Sequence, residues 1–171
     1  VPTLAGVMTF SKYPQGYFPQ LCITAVCIPG LEMGDTDDEQ VRFTDNRRIT
    51  GPISEMLSEA VEFVRRNSRY KTIIDRDGKR IDKEEYPIKA VREAILNALV
   101  HRDYSIYTEN IPIRIEMYSD RMEIISSGGL YGRITIDSLG KVRPDTRNAA
   151  LANMLEILHI TENRYSGIPT I

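Results

Sequence analysis

A chain of 171 residues with 42% hydrophobic residues is long enough for one compact domain, or a domain with a subdomain, and too apolar to stay disordered. Its net charge of −2 argues against a domain-wide electrostatic footprint for DNA, although a local basic patch stays open. No apolar run approaches the ~20 residues of a membrane-spanning helix. The start VPTLAGVMTF lacks the basic beginning and long apolar core of a signal peptide, so the expected location is cytoplasmic. Cys22 and Cys27 do not have redox or zinc spacing and read as reduced thiols in or beside a strand.

Residues 2–10 read as a strand by their apolar content. Residues 12–20, with two prolines and a glycine, read as a loop. LCITAVCI (21–28), β-branched and apolar, predicts a buried strand. An acidic, turn-rich stretch (29–40) leads to a short strand within 41–50. A helix should follow, with Thr50 as N-cap, Pro52 in its first turn and an end near Asn67. Ile53, Met56, Leu57, Ala60, Val61 and Val64 form its 3.6-residue apolar stripe. Residues 71–87 suggest two short strands around Asp77-Gly78. A second helix runs from Pro87 to about His101. Two strands follow within 111–129, with Ser119-Asp120 between them and Gly128-Gly129 at their end. A third helix begins after Asn148. Hairpins dominate, so the expected class is α+β with a mixed or antiparallel sheet covered by helices. Val1 leading straight into an apolar run, and an end at SGIPTI without a closing element, suggest a piece of a longer protein.

The chemistry concentrates on residues 87–103. Apolar residues occupy nearly every face of this helix, as on a buried element. Glu93, Asn97 and His101, at i, i+4 and i+8, make one narrow polar line along it. Buried polar groups need partners. A carboxylate and an amide one turn apart can serve a hydrated divalent ion carrying a polyphosphate, and the carboxylate can act as a base on water. Spacing alone leaves open the alternative of structural hydrogen bonds. Tyr104 reads either as packing over this site or as core, and Arg102 and Asp103 as a local ion pair.

EAILNALVHRDYS resembles the N-box of the GHKL superfamily, which includes gyrase, histidine kinases and mismatch-repair ATPases. More closely, the chain resembles the C-terminal part of a family of bacterial and archaeal transcriptional regulators, also labelled ATP-dependent DNA helicase RecG-related. The resemblance runs through TLAGVMTFSKYPQGYFP (3–19), GPISEMLSEAVEFVRRN (51–67), YPIKAVREAILNALVHRDYS (86–105), DRMEIISSGGL (120–130) and RPDTRNAALANML (143–155) to SGIP (166–169). No P-loop pattern supports the helicase label.

The resemblance implies a Bergerat-type α/β sandwich over residues 51–171, truncated at its C-terminus. A β-rich connector, residues 1–50, would lead into it from a Schlafen-type AlbA domain outside this chain, and DNA would be bound through that domain. The implied ligand is ATP with Mg²⁺. Glu93 would be the general base, Asn97 the metal ligand, and His101 a contact in the phosphate region. Gly128 and Gly129 would line the base pocket. Ser126 stands where the superfamily has an adenine-reading Asp. Arg143 and Arg147, before the third helix, would meet phosphates, and Gly167 would belong to a second glycine motif. Any hydrolysis would be slow and act as a conformational switch, and a homo-oligomer is implied. The alternative is a degenerate, non-catalytic fold for dimerisation or partner binding, which Ser126 and the missing C-terminal element favour.

Overall fold

The computed structural model describes all residues except 75, 140, 143, 144 and 162–170. Its elements in chain order are α1 (Leu4–Phe10), β1 (Ile23–Cys27), β2 (Asp45–Ile49), α2 (Ile53–Asn67), β3 (Tyr70–Ile74), β4 (Arg80–Glu84), α3 (Ile88–His101), β5 (Ile113–Met117), β6 (Met122–Ile125) and α4 (Ala149–Ile157). Short 3-10 turns occur at Pro14–Gly16 and Ile136–Ser138.

Four strands form a mixed sheet in the order β2-β1-β5-β6. β1 pairs antiparallel with β2 and parallel with β5, with Ile23 opposite both Ile49 and Ile113. β5 and β6 form an antiparallel hairpin. Period-2 alternation sets the faces: Ile113 and Ile115 are buried while Arg114 between them is exposed. The inner face carries α2 and α3. Ile53, Met56, Ala60, Phe63 and Val64 of α2, and Val91, Ile95 and Leu99 of α3, lie in the same core as Ile23, Ala25, Ile113 and Ile115. Each such large apolar side chain contributes about 1.5–3 kcal/mol by leaving water. β3 and β4 pair only with each other, as a separate two-stranded ribbon turning at Gly78, whose φ is +77°. The architecture is thus α+β with a mixed sheet.

One expected strand is a helix. Residues 4–10 coil because Thr3 caps them, its hydroxyl accepting the Gly6 N–H at 3.1 Å. The buried positions Ala5, Met8 and Thr9 then follow helical spacing. The cap expected at Thr50 is also corrected: Pro52 occupies the N-cap of α2 without a side-chain bond. Gly51, at φ +112°, turns the chain into the helix. Buried Gln15 secures this junction. Its carbonyl accepts the Gly51 N–H at 2.8 Å, and its amide donates to the carbonyls of Leu21 and Gly51 at 2.8 and 3.2 Å.

Candidate nucleotide cleft

Helix α3 buries Val91, Ile95, Leu96, Ala98, Leu99 and Val100 and leaves Glu93, Asn97 and His101 half-buried along one line. That line borders a cleft of about 670 Å³, closed on its other sides by Ile124 and Ser126 at the end of β6, the glycine turn 128–129, the loop after it, and α4. Glu93, Asn97, His101, Ser126, Gly128, Gly129 and Arg147 all line it. Arg143 and Gly167 lie outside the described residues. The lining is largely aliphatic, with Leu96, Val100, Leu130, Ile134 and Ala152 among it. An apolar cavity of this size with a few convergent polar groups is the usual form of a small-molecule site.

The glycine turn is fixed against the end of α3. The Asp103 N–H donates to the Ser127 carbonyl at 2.7 Å. Gly128 has a φ of +101°, and a Cβ there would sit 3.0 Å from Asp103 Cβ, 3.1 Å from Asp103 N and 3.1 Å from Arg147 Nη1. Only glycine takes this conformation freely while letting backbone and guanidinium approach so closely. Arg147 holds the other side. Its Nη2 donates to the Gly129 carbonyl at 2.7 Å, its Nη1 lies 3.8 Å from the Asp103 carboxylate, and its guanidinium carbon is 5.0 Å from the centre of the Tyr131 ring. Further along, Asp145 accepts two bonds from the Arg133 guanidinium, at 3.0 and 3.2 Å, and one from its backbone N–H. The guanidinium beside it brings the Asp145 carboxyl down to about 2.

Burial, and then the nearby positive charge of Arg147, hold His101 below its ordinary value. Neutral imidazole keeps one acceptor and one donor nitrogen for the cleft. Glu93 is 26% exposed, with Arg92 at 3.7 Å. Hydrogen bonds, first that from the Ser105 backbone, keep Asp103 below its usual range. Among the described residues no three His, Cys, Asp or Glu side chains cluster as a metal cage. The donor set along α3, one carboxylate and one amide, suits a hydrated Mg²⁺ held mainly by phosphate oxygens rather than a chelated metal.

Of the readings for the neighbouring residues, that of Arg102 changes, and for Tyr104 one of its two alternatives is selected. Arg102 is 1% exposed, so it is no surface ion pair. It donates to the backbone carbonyls of Asp103, Thr108 and Ile111 at 3.3, 3.1 and 2.9 Å, and stacks over Tyr104. Tyr104 packs against the core, its hydroxyl donating to the Leu99 carbonyl at 2.6 Å. Asn148 is a contributor the sequence reading missed. It stands at the N-cap of α4, yet its amide donates to the carbonyls of Val100 and Arg102 at 2.7 and 2.8 Å. One side chain thereby satisfies the last carbonyls of α3 and ties α4 to it. An Asn before a helix carries a visible signal, but that signal points to the wrong helix.

The family comparison falls on the C-terminal part of the molecule. Residues 111–171, from β5 onward, match the model of a family described as "Putative ATP-dependent DNA helicase recG C-terminal". The C-terminal region is therefore similar to that family over these residues. The match begins after α3, so Glu93, Asn97 and His101 lie outside it. Comparison with curated proteins returns no match. Among solved structures, the crystal structure of the DIP2311 protein from Corynebacterium diphtheriae superposes with a TM-score of 0.75 at 21% sequence identity. The superposition covers 96% of this chain and 30% of that one, so this chain spans under a third of its length. At this identity the likeness speaks for the fold alone.

Proposed function

We propose that the cleft binds ATP with Mg²⁺ and that the chain is the nucleotide-binding part of a multidomain regulator. The observation that carries this reading is the shared cleft: the polar line of α3 and the glycine turn after β6 border one cavity. The family match over 111–171 supports it. In this reading the base lies beside Ser126, Gly128 and Gly129, and the phosphates lie toward Asn97, His101 and Arg147. Arg143 and Gly167, outside the described residues, are read as further phosphate contacts. Bound Mg²⁺ would neutralise phosphate charge, with Asn97 holding it. Glu93 takes a proton from the water that attacks, and the slow turnover serves as a switch between conformations. Residues 1–50 act as the connector from a DNA-binding domain outside this chain, and paired copies form the working unit in the cytoplasm.

Calorimetric titration with Mg-ATP tests the reading, with thermal denaturation run on the same samples. Glu93→Ala should leave binding intact and lower any hydrolysis by about 10²–10⁴-fold, the usual contribution of a general base. Asn97→Ala should weaken binding only when Mg²⁺ is present. A parent chain without affinity for Mg-ATP, together with lost stability in both variants, would make the polar line structural and defeat the proposal.

A further inference from the structure

We propose that Arg147 is an anion-operated latch: a phosphate group entering the cleft draws its guanidinium away from the Gly129 carbonyl and Asp103, and so frees the glycine turn. The inference rests on the nucleotide reading of the cleft and adds how occupation of the site would be passed to the rest of the chain.

From its place just before α4, Arg147 touches the loop after α3, the glycine turn and the Tyr131 ring together. It also lines the cleft. Its hold is incomplete. The bond to Gly129 at 2.7 Å goes to a neutral carbonyl. The Asp103 carboxylate at 3.8 Å is beyond hydrogen-bonding distance. Nε is buried and has no hydrogen-bond partner among the described residues. A planar guanidinium with an unmet donor is suited to phosphate, which accepts two parallel bonds from its fork. Phosphate adds a full negative charge to that two-bond geometry, which the single bond to a neutral carbonyl lacks. Rotation toward the cleft would abandon Gly129 and Tyr131 together, because both lie on the same guanidinium. Among the described residues the turn would then keep only the Asp103–Ser127 backbone bond.

The chain contains no tryptophan, so Tyr131→Trp provides a single reporter beside the guanidinium, and an indole is the best partner for a cation over its face. Mg-ATP and inorganic tripolyphosphate are titrated separately into this variant, with binding followed by calorimetry. Binding should move the indole emission to the longer wavelength that a ligand-free double variant, with Arg147→Ala added, already shows. In that background tripolyphosphate should bind roughly 10- to 100-fold more weakly and move the emission no further. Arg147→Lys keeps the charge without the planar fork and guards against misfolding: it should retain the parent's circular dichroism and start with the released emission. If Mg-ATP binds while the indole emission stays unmoved, the latch is overturned and the nucleotide reading survives. A ligand-induced shift that persists in Arg147→Ala reports ligand touching the ring and also overturns the latch. Tripolyphosphate binding with the shift, but no affinity for ATP, upholds the latch and defeats the adenine reading. If neither ligand binds, both fall.

Discussion

Gly128 and Gly129 are adjacent, and the same substitution at each should have unequal consequences. Gly128 has a φ of +101° and Gly129 has no positive φ. Alanine at 128 must adopt a backbone conformation that costs an L-residue about 1–3 kcal/mol. It must also place a Cβ 3.0 Å from Asp103 Cβ and 3.1 Å from Asp103 N. Neither neighbour is the free end of a flexible chain, and the 2.7 Å bond from Asp103 N–H to the Ser127 carbonyl resists their separation. Strain and crowding together should destabilise Gly128→Ala by about 2–3 kcal/mol, a drop of about 4–12 °C in Tm for a domain of this size. At Gly129 a Cβ meets nothing within 4 Å, and the change should stay within about 0.5 kcal/mol. Thermal unfolding followed by circular dichroism compares the pair directly. Equal melting temperatures for the two variants would refute the claim that the turn is held against α3.

Three further outcomes are expected. Arg102→Met keeps the bulk of a buried side chain but removes the Arg102 donor from the Ile111 carbonyl and one of the two donors to the Thr108 carbonyl; it should cost about 2–3 kcal/mol, seen as a lower urea midpoint, and a midpoint equal to the parent's would show those bonds to be dispensable. His101 has a lowered folded-state value, so the unfolded chain takes up its proton first as pH falls through about 6.5. Stability should therefore be fully present above that pH and decline below it, toward the folded value, and His101→Gln should flatten this part of the stability-versus-pH curve. Ser126 offers a hydroxyl that both donates and accepts, whereas a carboxylate only accepts. Ser126→Asp should thus raise the preference for ATP over GTP in competitive titration, and an unchanged ratio would move the base away from the end of β6.

Most elements were legible because their periodicities are strong. The stripe from Ile53 to Val64 becomes α2, and the alternation around Arg114 becomes β5. The apolar run at 21–28 becomes β1, a strand flanked on both sides. Its pairing could not be read: β1 lies parallel to β5, joining Ile23 to Ile113 across most of the chain, and no local pattern specifies a partner at that separation. The error at 2–10 has a local cause. Apolar content was weighed without its cap, although Thr3 satisfies the Gly6 N–H and the buried positions recur at helical spacing.

The candidate site divides along the same line. Glu93, Asn97 and His101 could be picked out because a polar line on an apolar helix is a one-dimensional pattern. Gly128 announces itself by type, since a strand-end glycine admits a backbone other residues avoid. What makes these residues neighbours is carried by groups whose partners are remote or main-chain. Arg102 serves carbonyls, which have no letter in the sequence. Asn148 caps α3 from 48 residues away, measured to Val100. Arg147 joins Asp103, Gly129 and Tyr131 where Asn148 ties the start of α4 to the end of α3. The sequence therefore names the groups that would meet a ligand more readily than the scaffold that aims them. That scaffold decides whether the cleft is a binding site or a packed seam. Substitutions in the scaffold and along the polar line separate the two: in a binding site Arg102→Met should alter stability and Asn97→Ala affinity, while in a seam both should read out as stability alone.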